Sequence, residues 1–226
     1  MTGLIDGDIV CYRAAASAEN EPVEISILRT DLMMMDILQL EENHITFLTG
    51  SQTAYPITDK VNFRKLINPE YKANRKQPKP KHLDACRKYL IDEYKAIVTE
   101  GYEADDAMGF NQTEESVIYT IDKDLLMIPG HHFNFVKKEY YEVSELDGLK
   151  MFYKQMLIGD SSDNVFGVDK IGKVKAAKLI DHLETEKEMK DVVVSLYSDP
   201  ERYLMNADCL WIWRKEGERY SNRKMD

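Results

Sequence analysis

The chain has 226 residues, 43% of them hydrophobic, and a formal charge of −10, which is enough apolar material for one sizeable core and too much for a disordered chain. No N-terminal apolar run with a basic flank and no stretch of about 18 apolar residues occurs, so neither secretion nor membrane insertion is indicated and a cytoplasmic protein is expected. Three scattered cysteines, Cys11, Cys86 and Cys209, suit a reducing compartment and exclude a zinc ribbon.

In chain order, LIDGDIV (4–10) reads as a strand that delivers Asp6 and Asp8. Helical spacing follows over 24–42, then a second strand, HITFLTG (44–50). From Arg64 to Lys88 the chain is basic, with only Glu70 and Asp84 opposing its lysines and arginines, and helical spacing covers 81–94. AIVTE (96–100) is the third strand and is followed by Glu103, Asp105 and Asp106 at the start of a helix over 104–112. SVIYTID (116–122) is the fourth, ending in Asp122 with Asp124 just beyond. Such alternation predicts βαβ units and a mainly parallel sheet, in which ligands bind beyond the carboxyl ends of the strands.

Acids therefore collect at one rim of that sheet. A single cluster has a plain explanation, because Asp caps helices and suits a first turn. Three clusters together would raise one another's pKa and destabilise the fold unless a cation sits among them. The donors are all oxygen, which favours Mg²⁺ or Mn²⁺. Two such ions about 4 Å apart are the usual apparatus for displacement at a phosphodiester. The acidic total does not exclude nucleic acid, because basic segments are segregated at 64–88 and at Lys170, Lys173, Lys175 and Lys178.

The most specific stretch is GDSSDNVFGVDKIGKVKAAKLI (159–180). Asp160 and Asp163 follow an apolar helical segment (151–158). Beyond Gly167 and Gly172 comes an amphipathic helix whose first turn carries lysines. Two helices joined by a glycine-bearing turn can present backbone N–H groups to a phosphate; the plainer alternative is a helical hairpin with solvated lysines.

Taken together, IDGD, NFRKLINPEYKANRK, EADD, TIDKD and GDSSDN with GV, IG and AAKLI resemble the flap-endonuclease family, in particular the bacteriophage 5′–3′ exonucleases and the 5′-nuclease domain of bacterial DNA polymerase I. The resemblance spans about residues 3–183 in the family's order. It implies an α/β fold: a PIN-like, Rossmann-like, mainly parallel sheet flanked by helices, with a helix–three-turn–helix module and a helical C-terminal tail. The expected division is 1–150 for the nuclease domain, with an arch segment at about 64–81, and 151–226 for the DNA-binding module and last helices.

The resemblance further implies a divalent-metal-dependent 5′–3′ exonuclease or flap endonuclease of replication or repair. It would act on DNA with a 5′ end, flap or nick, or on RNA–DNA hybrids, as a monomer in the cytoplasm, or the host cytoplasm if viral. Asp6, Glu103 and Asp105 would hold one Mg²⁺ or Mn²⁺, and Asp122, Asp124 and Asp163 a second, with Asp106 and Asp160 in support and K⁺ bound at the helix–three-turn–helix. Lys72 and Arg75 would meet the scissile phosphate and Tyr71 would hold a terminal base. Arg13, Arg64, Gly167, Gly172, Lys173 and Lys175 would complete the DNA contacts.

Two departures stand out. Relatives often carry Asp at the end of the second strand, where this chain has Thr49, which leaves Asp59 as the substitute ligand. Relatives also often carry glycine where this chain has Lys170, a turn expected to form nonetheless. The prolines at 69, 78 and 80 suit a short arch, not a long helical one. In the tail, Trp211 and Trp213 fit core packing better than base stacking, and the terminal residues are expected to be poorly ordered. The alternatives are a PIN-type ribonuclease and a catalytically impaired DNA-binding relative.

Overall fold

The structure, a computed structural model, describes residues 1–40 and 43–224. The first strand, β1 (Thr2–Asp6), stops earlier than the 4–10 reading suggests, because Asp6 caps a helix: its carboxylate accepts from the Ile9 N–H at 3.0 Å. Helix α1 (Gly7–Ser17) begins at once, and only glycine fits there, since an added Cβ would lie 2.6 Å from the Phe47 carbonyl. Helix α2 (Val23–Leu38) covers most of the helical spacing over 24–42 but ends before residues 39 and 40, and residues 41 and 42 lie outside the described residues.

Next come β2 (Asn43–Thr49), the short α3 (Phe63–Ile67), α4 (Leu83–Tyr94), β3 (Ile97–Thr99), α5 (Ala104–Asn111) and β4 (Ser116–Tyr119). A 3₁₀ turn at Asp124–Met127 leads to a hairpin that the sequence reading did not anticipate, β5 (Gly130–Asn134) and β6 (Glu139–Val143). Its EYYEV strand is largely exposed at an edge, so it lacks the buried apolar run that marks the inner strands.

Among the described residues the sheet runs β3-β2-β1-β4-β5-β6, parallel except for β6. The chain winds outward from β1 to β2 and β3, then returns to the other side of β1 as β4. The switch point of the topology is therefore the β1/β4 crevice, where parallel sheets bind ligands. Successive residues of β1 face opposite layers, as the two-residue period of a strand requires. Ile5 packs with Val10, Met34 and Leu90 under α1, α2 and α4, whereas Leu4 packs with Ala107, Met108 and Ile118 against α5.

The remainder is helical: α6 (Glu145–Ile158), a two-residue-per-strand hairpin of β7 (Gly159–Asp160) and β8 (Val165–Phe166), then α7 (Lys173–Ile180), α8 (Glu186–Leu196) and α9 (Pro200–Leu210). Lys170 has φ 61°, so the turn forms with a lysine in the left-handed region that favours glycine. Gly167 packs against the end of α6, where a Cβ would lie 2.3 Å from the Leu157 carbonyl. The tail leaves the helix after Leu210, and Trp211 and Trp213 are core residues, joined in one aromatic cluster by Phe63, Tyr71, Phe152 and Tyr153. Tyr220 is also buried there and the Arg223 guanidinium lies over the Trp211 ring, so the tail is fastened at least to that point; residues 225 and 226 lie outside the described residues.

Candidate active site

At the carboxyl end of the sheet lies a cavity of about 480 Å³ lined by Glu103, Asp105, Asp122, Asp124, Asp160 and Asp163, with Lys72, Arg75, Lys123, Ser162, Ile9 and Ile121 between them. Asp6 lies beneath this rim at the end of β1, 2% exposed. The strand-end geometry thus brings together acids from β1, α5, the segment after β4 and the β7–β8 hairpin.

One side of the rim is neutralised from within the chain. Lys72 Nζ reaches Glu103 Oε1 at 2.6 Å and Asp163 Oδ2 at 3.6 Å, and Arg75 Nη2 reaches Asp163 Oδ1 at 2.6 Å. Burial alone would push the Glu103 carboxyl up, but Lys72, with Arg64 behind it, outweighs burial and holds it at about 2.

Among the described residues the other side has no such ion pair. Asp6 is raised to about 7 by burial, against hydrogen bonds from Thr120 and the Ile9 N–H, with Asp8 and Asp122 adding repulsion. Asp124 is likewise raised to about 7 by burial and then by Asp122, Asp160 and Asp163. Burial, followed by Asp122, Asp6 and Glu103, drives the Asp105 carboxyl well above the usual carboxylate range. Among the described residues no three acidic, histidine or cysteine side chains converge as a ready-made metal cage. An all-oxygen donor set with three uncompensated carboxylates nevertheless fits a hard divalent cation, whose charge would relieve the repulsion.

Neutral donors that the sequence reading missed hold these acids in place. Thr120 Oγ1 donates to Asp6 Oδ2 at 2.7 Å, Asn62 Nδ2 to Glu103 Oε1 at 3.0 Å and Gln155 Nε2 to Asp124 Oδ1 at 3.0 Å. Only Thr120 had a legible signal: it stands two residues before Asp122, whose N–H donates to the threonine hydroxyl, a local turn pattern.

Several expected site residues fall elsewhere. Asp106 is fully buried and both its oxygens are taken, by Arg64 at 2.6 and 2.8 Å, by the Glu103 N–H and by the Trp213 N–H. It is a structural acid, not a rim ligand. Arg64 is correspondingly no DNA-facing cation: it is 2% exposed and also donates to the Cys209 and Trp211 carbonyls. Burial opposes its charge, yet Asp106 more than compensates and keeps it protonated.

Tyr71 is also interior, 2% exposed, and its hydroxyl donates to Asp163 at 2.6 Å, so its ring offers no stacking face here. Asp59 is exposed and does not line the cavity. Thr49 does not replace an acid: its hydroxyl accepts from the Ala104 N–H and ties β2 to the start of α5. Asp8 turns from the rim to Arg87, at 2.6 Å.

Arg13, on α1, and Gly172, Lys173 and Lys175, at the start of α7, are exposed and lie outside the cavity lining. Gly167 is buried as a packing glycine and offers no surface to DNA. Of the segment at about 64–81, residues 64–67 belong to α3, and residues 69–82 carry no helix.

Comparison with known proteins places this geometry in context. Residues 2–155 match the family described as 5′–3′ exonuclease, N-terminal resolvase-like domain. The 5′–3′ exonuclease of Buchnera aphidicola subsp. Schizaphis graminum is 28% identical over 225 residues, covering 90% of this chain and 78% of that protein. The exonuclease of Escherichia phage T7 is 30% identical over 151 residues, 58% of this chain but only half of the T7 protein. In fold, the chain is similar to a T5 5′-exonuclease with zinc ions bound, at a TM-score of 0.64, 19% identity and coverage of 93% of this chain and 89% of that one.

Proposed function

We propose, from the premise that this chain belongs to the 5′–3′ exonuclease family, that it hydrolyses phosphodiester bonds of DNA from 5′ ends or at flaps and nicks, in replication or repair. The observation that carries this reading is the set of uncompensated carboxylates, Asp6, Asp105 and Asp124, gathered at the topological switch point of the sheet. Asp6, Glu103 and Asp105 would hold one Mg²⁺ or Mn²⁺, and Asp122, Asp124 and Asp163 a second, with Asp160 in support. When bound, such ions lower the pKa of water and neutralise charge on the phosphoryl oxygens.

The rest is the work of the chain itself. Lys72 and Arg75, freed from their carboxylates, can donate to the non-bridging oxygens of the scissile phosphate as negative charge develops there. Thr120, Asn62 and Gln155 hold the carboxylates in register, which removes reorganisation at the moment of reaction. Lys173 and Lys175, beside exposed Gly172 at the start of α7, would grip the phosphates of the duplex behind the cut. On this reading residues 1–150 carry most of the cutting site, and 151–226 complete it with Asp160 and Asp163 and hold the substrate, as a monomer. A K⁺ site in the inter-helix turn and action on RNA–DNA hybrids remain parts of the same proposal. Among the described residues no helix is long and apolar enough to cross a membrane.

One assay tests the proposal: cleavage of 5′-labelled flap, nicked duplex, single-stranded DNA, single-stranded RNA and RNA–DNA hybrid, with Mg²⁺ and with EDTA, for the wild-type chain and Asp124→Ala. Mg²⁺-dependent release of 5′ products from flap or nicked DNA, lost in the variant, is expected. Cleavage confined to single-stranded RNA would move the chain to a ribonuclease reading, and DNA binding without turnover would make it an impaired relative.

A further inference from the structure

The arch does not stand clear of the site: it is bonded into it. Both oxygens of Glu103 are engaged, Oε1 by Lys72 at 2.6 Å and Asn62 at 3.0 Å, Oε2 by the Tyr71 hydroxyl at 3.3 Å. Both oxygens of Asp163 are engaged as well, Oδ1 by Arg75 and Oδ2 by Tyr71, each at 2.6 Å. Backbone contacts reinforce the closure. The Lys72 N–H donates to the Asp163 carbonyl at 2.9 Å, Asn164 Nδ2 to the Glu70 carbonyl at 2.9 Å and Arg75 Nε to the Ser162 carbonyl at 3.1 Å. Lys72 makes these contacts with a φ of 59°, a backbone conformation unfavourable for a lysine outside a context that demands it.

We propose that Lys72 and Arg75 are built-in counter-ions that latch the 69–76 segment onto Glu103 and Asp163, and that a divalent cation in the acidic cavity and the closed latch exclude one another. A divalent ion on Glu103 or Asp163 competes with Lys72 and Arg75 for the same lone pairs and, at contact distance in a partly buried site, repels both side chains. Release frees Lys72 and Arg75 for the substrate phosphate and loosens the segment that must admit a DNA end. By reciprocity, whatever holds the latch shut weakens cation binding by the same factor. The proposal rests on the metal reading above and adds to it a mutual exclusion that a passive site would lack.

The test uses Ca²⁺ as the probe and needs no turnover. Hydrogen exchange of the wild-type chain is followed over residues 69–79 during a Ca²⁺ titration, with NaCl at equal ionic strength as control. Calorimetry compares Ca²⁺ binding by the wild-type chain and by a Lys72→Gln, Arg75→Gln double variant. Faster exchange over 69–79 on Ca²⁺ binding is expected, together with tighter binding by the variant, by about 5- to 150-fold for a coupling of ordinary size. Removing positive charge raises affinity in any case, so the exchange measurement on the unaltered chain decides. Ca²⁺ binding with unchanged or slower exchange over 69–79 would overturn the latch while leaving the metal reading intact. No Ca²⁺ binding by either protein would remove the metal reading and the latch with it.

Discussion

Glu103 and Asp163 meet Lys72 and Arg75 on one side of the rim, while on the other Asp6 and Asp124 meet neutral donors, Thr120 and Gln155, and Asp105 faces other acids. Among the described residues no lysine or arginine forms an ion pair with any of those three. Below both sides, Asp106 forms a third environment, buried completely but with four donors around it. Burial alone therefore does not distinguish a working acid from a structural one. What distinguishes them is whether the chain supplies the compensating charge, and where it does not, something outside the chain has to.

Asp105 is where the two sides of the rim should differ most. Replacing it by Asn should reduce Mg²⁺-dependent cleavage by about 10³-fold or more, as expected for several kcal/mol of lost charge stabilisation. The same change should raise the melting temperature of the metal-free chain at pH 8, because it replaces a buried carboxyl whose ionisation the fold opposes by a neutral amide. A variant that cleaves normally, or melts lower without metal, would contradict the division drawn here.

Asp106 should behave in the opposite way. Arg64→Met leaves its carboxylate buried and unpaired, and a loss of about 3 to 5 kcal/mol in denaturant unfolding is expected. A loss under about 1 kcal/mol would place Arg64 and Asp106 outside the structural core, at the level of a surface pair.

The pH dependence follows from the same contrast. Asp6 and Asp124 are raised from 3.8 to about 7, so their contribution to metal-free stability is complete below 3.8 and is lost as pH rises through 7. Glu103 is lowered from 4.5 to about 2, so its contribution is present above 4.5 and disappears as pH falls through 2. Between pH 5 and 8 the first pair dominates. Thermal melts in EDTA should fall across that range, and Mg²⁺ should flatten the fall; a metal-free melting temperature that climbs with pH would refute the assignment.

The smallest effect belongs to the neutral donors. Thr120→Val removes the hydroxyl that orients Asp6 while keeping the shape, and metal affinity measured by calorimetry should weaken by about 10- to 100-fold. An unchanged affinity would mean that Asp6 is held by its cap to Ile9 alone.

Much of this was legible in the chain. Strand ends followed by acids, as in IDGD, EADD and TIDKD, are local patterns, and parallel topology then collects them at one edge whatever the details of packing. The hairpin at 130–143 escaped because an exposed edge strand carries little apolar signal. The family resemblance ranks Asp105 as a ligand and Asp106 as its support, but that Asp106 leaves the rim altogether was not legible, since adjacent positions at a helix start differ by about 100° around its axis and only the packed neighbours tell which one faces the cavity.

The α/β order, the acidic rim and the family are written along the chain, because these depend on periodicity and on the residues at strand ends. Tertiary structure alone decided which charges are compensated. Arg64 reaches Asp106 across 42 positions and the Cys209 carbonyl across 145, Arg75 reaches Asp163 across 88, and Gln155 reaches Asp124 across 31. Electrostatic partnership is a matter of distance and burial in three dimensions, and no one-dimensional pattern encodes either.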